Sequence, residues 1–494
     1  MPRMNPTLPA RTAALVSLAL LGGCAVGPDF KRPGAPQTDA YTAAPLPAHT
    51  AAGAEGAQSL AFGADIPARW WALFHSDKLD TLIGEALRAS PDVTAAQAAL
   101  RQAHEQRLAA QGSLFPAFDA SAAATRQKIS AAEFGQPQGG SSIYNLFNAT
   151  ASVSYTLDLW GGVRRSVEAA GAAEQYQAFQ LEATYLTLAA NVVTTAIQDA
   201  SLSAQLAATG EIIAADRKQL ETVARQLALG GVSRLDLLTQ QSQLASELAS
   251  LENLRKERDQ NRDLLATLVG RLPSAGAGAE FSLEELTLPA ALPLGVPSQL
   301  VERRPDVRAA EAQLHQASAE IGVATANLLP QLTLTGQVGS YGTRSSDLFK
   351  SGSGVWSAGG SLTQPLFHGG TLLHEKRAAV AAYDQAAAAY RQTVLTAFRN
   401  VADALYAVNA DAARLEQEDV AARAAAESLE LGRRRYDAGS ISPLDLLVLE
   451  RTYWQARIAQ LQAQAARYAD SAALFQALGG GWWNHGAAAA GAAP

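Results

Sequence analysis

Two periodicities divide the chain. Ala149, Ala151, Val153, Tyr155 and Leu157 alternate with Thr150, Ser152, Ser154 and Thr156, while Leu332, Leu334, Gly336 and Val338 alternate with Thr333, Thr335 and Gln337. A period of two predicts strands. Weaker alternation from Phe118 to Thr125 and from Val355 to Thr363 gives each a partner, so two hairpins are expected, each with a polar loop between its arms. Their polar face uses Ser, Thr and Gln rather than charges, and their lengths approach the roughly 9 to 11 residues of a transmembrane strand. A soluble antiparallel sheet with one wet face alternates identically, so periodicity alone leaves both readings open. Four strands cannot close a barrel in hydrocarbon without leaving edge groups unsatisfied. Because bacterial barrels hold an even number of strands, about eight or more, two, three or four copies would have to share one.

The second periodicity is helical. From Val163 to Leu229 no Pro intervenes, and Tyr185, Val192, Asp199, Leu206, Ile213, Leu220 and Leu227 form a row spaced by seven that only Asp199 interrupts. Val394, Val401, Val408, Leu415, Ala422, Leu429 and Tyr436 form a second row. Sustained heptads predict long helices packed nearly parallel, and about 67 residues at 1.5 Å each span roughly 100 Å. Shorter helical stretches at 78–112, 233–269, 298–327 and 442–478 are each near half that length. Two halves end to end match one long helix, so the expected object is a tube to which each chain gives two continuous and two broken helices. Pro116, Pro330 and Pro365 fall at helix–strand junctions, and Gly161-Gly162 and Gly369-Gly370 let the chain turn into the long helices.

These elements read as one unit written twice. Ser90-Pro91-Asp92-Val93 returns as Arg304-Pro305-Asp306-Val307, displaced by 214 positions. Gly230-Gly231-Val232-Ser233-Arg234-Leu235-Asp236 returns as Gly439-Ser440-Ile441-Ser442-Pro443-Leu444-Asp445, displaced by 209. The change in offset places a length difference in the Gly/Ser-rich segments between the strands. The expected organisation is a signal at 1–23, an extended tether at 24–68, a first repeat at 69–270, a linker at 271–297, a second repeat at 298–479 and a tail at 480–494.

Composition narrows the class. Charged residues make up 17% of the chain, against roughly 25% in soluble domains. The net charge of −7 is spread without blocks, which excludes a basic surface for nucleic acid. Scattered histidines, with His368 and His374 six apart, lack the spacing of a helical zinc pair, and no phosphate loop or G-x-S-x-G elbow occurs. The expectation is a protein that is not an enzyme and carries no cofactor beyond a covalent lipid. That lipid is expected on Cys24, the only cysteine: Arg3 and Arg11 lead into an apolar stretch, Thr12 to Leu21, too short to span a bilayer, and Leu21-Gly22-Gly23-Cys24 resembles the bacterial lipobox. Ala25 in place of Asp fits outer-membrane sorting, by the same resemblance.

Val26-Gly27-Pro28-Asp29-Phe30-Lys31-Arg32-Pro33, Trp70-Trp71-Ala72-Leu73-Phe74, the paired Pro-Asp-Val segments and Asp158-Leu159-Trp160-Gly161-Gly162 together resemble the outer membrane efflux proteins of the TolC type, in their lipoprotein branch. The fold this implies is mainly α with transmembrane β: a homotrimer whose twelve-stranded outer-membrane barrel continues into a twelve-helix periplasmic tunnel. It also implies a periplasmic adaptor protein and a proton-driven inner-membrane pump as partners, and closure of the tunnel at the membrane-distal helix turns. Here those turns carry Asp236 and Asp445, with Tyr436 and Arg234 beside them, as the candidate periplasmic gate. Ile441 stands where some members have a basic residue, which leaves the family's ionic lock in doubt. Gly230, Gly231, Gly439 and Ser440 are the candidate adaptor contact. Ser233 with Asp236, and Ser442 with Pro443 and Asp445, also read as helix caps, and glycine at a helix end as a left-handed turn. The expected function is a passive exit duct for drugs or other small toxic molecules. The alternatives are a duct for a peptide or protein exporter and a periplasmic coiled-coil lipoprotein that conducts nothing.

Overall fold

The computed structural model describes residues 25–53, 56–130 and 140–484. In chain order its regular elements are β1 (Ser59–Phe62), α1 (Asp77–Ala89), α2 (Pro91–Gly112), β2 (Ala117–Ser130), β3 (Ser141–Leu157), α3 (Gly162–Ala228), α4 (Arg234–Leu268), β4 (Ala291–Leu294), α5 (Pro297–Arg303), α6 (Pro305–Ala326), β5 (Gln331–Gly342), β6 (Gly354–Thr363), α7 (Thr371–Asp437) and α8 (Pro443–Ala477). Both long helices, α3 and α7, contain 67 residues, and both returning helices, α4 and α8, contain 35. The expected single helices at 78–112 and 298–327 are each two. Pro91 and Pro305 start new helices because a proline cannot donate to the preceding turn and holds the residue before it extended, as at Ser90 and Arg304.

The chain forms two compact units. The first holds residues 25–32, 100–130, 140–176 and 310–390. Its four strands form one antiparallel sheet in the order β2-β3-β5-β6. The register aligns Phe118, Val153, Gly336 and Ala358 across the sheet, and beside them Ala151, Val338 and Trp356, on one face. Asp119, Ser152, Gln337 and Ser357 share the other face. On that polar face Ser121 and Thr150 hydroxyls meet at 2.8 Å, and those of Thr156 and Thr333 at 3.0 Å. Among the described residues of these strands only Ser340 is buried, and Trp356 is 81% exposed. A soluble sheet covers at least one face; this sheet covers neither.

The second unit holds residues 33–53, 56–99, 177–309 and 391–484. Within it α3 and α4 run antiparallel: the Gln240 amide donates to Asp216 O (3.4 Å) and the Asn261 amide to Thr195 O (3.0 Å). α7 and α8 do the same, with Arg433 on Glu450 at 3.1 Å and the Gln460 amide on Asp419 at 2.7 Å. The predicted rows are buried along much of their length, Val192, Val401 and Val408 completely. The stretch read as a tether is extended but contributes to the core. β1 pairs in parallel with β4, and Arg467 of α8, fully buried, donates to Gln58 Oε1 (3.2 Å), Thr50 Oγ1 (3.2 Å) and Gly56 O (2.9 Å). Trp70 stacks on Phe475 at 5.4 Å between ring centroids.

Candidate functional site

Each helix tip is built by the same backbone device. At the first, Gly230 adopts φ 75° and the Gly231 N–H reaches Gln226 O at 2.8 Å; at the second, Gly439 adopts φ 70° and the Ser440 N–H reaches Arg435 O at 2.8 Å. A left-handed residue followed by this six-to-one bond ends a helix, and glycine takes that conformation without a Cβ penalty. The chain then re-enters a helix through a reciprocal cap. Ser233 Oγ accepts from the Asp236 N–H (3.3 Å), and Asp236 Oδ2 accepts from the Ser233 N–H (2.8 Å) and hydroxyl (2.7 Å). Ser442 and Asp445 repeat this at 3.2, 3.1 and 2.8 Å. The serine hydroxyl bonds hold both carboxyls below the ordinary aspartate value, so both tips carry a fixed negative charge at neutral pH.

The structure thus brings Asp236 together with Ser233 at one tip, and Asp445 together with Ser442 at the other, where Gly439, Ser440 and Tyr436 also lie. Tyr436, in the last turn of α7, is 40% exposed. Arg234, the first residue of α4, is exposed and forms no ion pair among the described residues. The positive charge that acts on Asp445 is instead Arg435, which sequence reasoning passed over, although its place in the last turn of a long helix is a signal for a cation near an acidic cap. Reasoning from spacing also missed an apolar fringe: Leu229 is 87% and Leu235 72% exposed, and Val448 projects from the second hairpin. A Cβ added at Gly230 or Gly439 meets nothing within 4 Å, so both turns have open space around them.

At the opposite end of α3, in the first unit, Asp158 accepts from the N–H groups of Val163 (2.9 Å) and Arg164 (3.0 Å), satisfying helix donors that have no internal partner. The segment that follows Cys24 is clasped here. Arg165 donates to Val26 O (3.2 Å) and Asp29 (2.6 Å), Phe30 stacks on His315 at 4.4 Å, and Gly27, at φ 92°, lies so close to Gly322 that a Cβ would fall 2.4 Å from its Cα. Cys24, the expected lipid site, and the signal at 1–23 lie outside the described residues.

Comparison with known proteins bears on this arrangement. The profile of the outer membrane efflux protein family matches residues 82–271 and again 296–480. The pyoverdine export outer membrane protein OpmQ of Pseudomonas putida is 33% identical over 421 residues, covering 84% of this chain and 88% of OpmQ. Outer membrane protein OprJ of Pseudomonas aeruginosa is 30% identical over 478 residues, 95% of each chain. Among solved structures, the open state of the Neisseria gonorrhoeae MtrE outer membrane channel superposes with a TM-score of 0.78 at 29% identity, over 93% of this chain and 99% of that one.

Proposed function

The chain belongs to the outer membrane efflux protein family and is the outer-membrane channel of a tripartite efflux system, and from that premise we propose that three copies share one wall. The observation that carries this reading is the four-stranded sheet with two bare faces and two open edges, β2 and β6. In hydrocarbon each unpaired edge group costs several kcal/mol, so the edges must meet those of other copies. Three copies give twelve strands, an even number in the range of bacterial barrels. The face of Phe118, Val153, Val338 and Trp356 then contacts lipid, and that of Asp119, Ser152 and Gln337 lines the lumen. The same count gives twelve helical positions in the periplasmic tunnel. An acyl group on Cys24 would hold the segment clasped by Arg165 at the membrane surface.

In this reading the duct is passive. Adaptor and inner-membrane pump deliver the cargo, and the tips act as gate and docking surface. Asp236, Asp445, Tyr436 and Arg234 narrow the periplasmic entrance, with Arg435 beside them. Gly230, Gly231, Gly439 and Ser440 leave room for an adaptor hairpin, to which the exposed leucines offer apolar contact. Export of small organic molecules is supported by the relatives named for efflux of toluene and antibiotics, while OpmQ is named for pyoverdine export.

The test is to purify the full chain in detergent, determine its mass by native mass spectrometry, and reconstitute it in planar bilayers. A trimer with cation-selective conductance is expected. A stable monomer, or a trimer that passes no current under any applied voltage, would overturn the channel assembly.

A further inference from the structure

The sheet face of Phe118 and Val153 carries no charged side chain until its far end. The register stacks uncharged rows on it, from Leu157, Leu332 and Leu362 beside the helices to Ala124 and Phe147. Phe147 lies ten residues from Leu157, about 34 Å of strand at roughly 3.4 Å each and about 26 Å of height at a tilt of about 40°, which matches the apolar band of roughly 25 Å around a bacterial barrel. The next two rows on this face carry Arg126, opposite Asn145, and Lys128, opposite Ile143. Both cations are exposed and form no ion pair among the described residues. All four strands join their helices at the other end, so Arg126 and Lys128 mark the rim that points away from the periplasm.

The loop between β5 and β6 reaches the same rim and folds over the same face. Ser340, on the row of Ala122 and Ala149, is buried beneath it; its hydroxyl accepts from the Phe349 N–H at 3.1 Å and meets the Ser353 hydroxyl at 2.6 Å. A Cβ at Gly342, one row further on, would lie 3.3 Å from Asp347 Cβ. Phe349 is held at φ 71°, which bulky residues rarely adopt, and is 79% exposed. Lys350 pairs with Asp347 at 2.7 Å, and Arg344 stands exposed beside them. Folding stability does not account for an aromatic that is strained and uncovered at once. A partner that covers it does.

We infer, on the proposed reading in which the Phe118 face meets lipid, that this rim is a binding site for the phosphorylated glycolipid of the outer leaflet. Arg126, Lys128 and Arg344 take its phosphates, and its acyl chains cover Phe349. Guanidinium groups hold phosphate through paired, charge-assisted bonds, and clustered cations at a membrane surface select anionic headgroups. β2 and β5 are two strand spacings apart, roughly 10 Å, so cations on β2 and in the loop after β5 suit a headgroup with two separated phosphates better than a single phosphodiester.

The experiment titrates the full-length protein in detergent with diphosphoryl lipid A, monophosphoryl lipid A and phosphatidylglycerol, read by native mass spectrometry. Diphosphoryl lipid A is expected to bind at least about tenfold more tightly than phosphatidylglycerol, with the monophosphoryl form between them. Arg126→Gln with Lys128→Gln and Arg344→Gln is expected to weaken diphosphoryl lipid A by at least about tenfold at unchanged melting temperature. Should that variant fold poorly, Phe349→Gly, which suits φ 71° and so spares the fold, is expected to weaken it several-fold. Equal affinity for lipid A and phosphatidylglycerol, or full lipid A affinity in either variant, would overturn the site. The face is read separately, in vesicles with brominated acyl chains, as the quenched fluorescence that Trp356→Phe removes. No quenching of Trp356 would withdraw the lipid-facing reading and the site with it, whereas quenching without selective lipid A binding would overturn the site alone.

Discussion

Asp199 interrupts an apolar heptad row, and its surroundings explain how the row tolerates it. The residue is completely buried, and Arg258 of α4 approaches its carboxylate to 3.5 Å. Burial nevertheless raises the Asp199 carboxyl above the ordinary value, against the pull of Arg258 and Arg262. Removing one partner of such a pair leaves a buried charge, whereas replacing both with apolar groups is often neutral. Arg258→Ala should destabilise by about 3 kcal/mol, and adding Asp199→Leu should recover most of it, as read by denaturant unfolding of the four members of the cycle. Asp470 offers a second test. Burial and the neighbouring Asp411 carboxyl push it up to about 7, from 3.8 in an exposed chain. Between those values the folded state holds a proton that the unfolded state has released, so this group's contribution weakens as pH rises from about 4 to 7 and is fully lost above that. Asp470→Asn should raise the melting temperature at pH 8, leave it nearly unchanged at pH 4, and flatten the profile between.

At the scale of elements, what can be read from one sequence is what periodicity and caps encode. The strands, the long helices and both reciprocal caps follow from alternation, heptads and a serine three residues before an aspartate. Other features stay hidden because their partners lie far apart in the chain. β1 and β4 have four residues each, too few to show a period, and meet across more than 200 positions. Arg467 carries no local sign that it will be buried against Thr50 and Gln58. The division of the half helices was visible in Pro91 and Pro305, since a Pro after a Ser or Arg marks a first helical position as readily as a loop. At the tips the sequence encodes the local caps, while the place of Arg435 and the exposed leucines depends on how each hairpin folds back. If Asp236 and Asp445 line the constriction, Asp236→Asn with Asp445→Asn keeps an acceptor for each cap but removes the charge. The cation-over-anion permeability ratio should then fall by roughly threefold or more in reversal-potential measurements. An unchanged ratio would take these acids out of the pore.

For the whole molecule, the matched helix lengths carry a consequence of their own. Two helices of 67 residues and two of 35 mean that both hairpins turn after the same run of chain. Excising one heptad from α3 alone preserves its seam yet withdraws its turn by roughly 10 Å. Such a variant should express but fail to assemble on native gels, while cutting a heptad from α3, α4, α7 and α8 together should restore assembly with a shorter reach. In the proposed assembly the protein would act as a ruler with four coupled edges. Its span across the space it bridges can be retuned only in commensurate steps, all four edges changing at once, which makes reach a far more inert trait than the chemistry of any single residue.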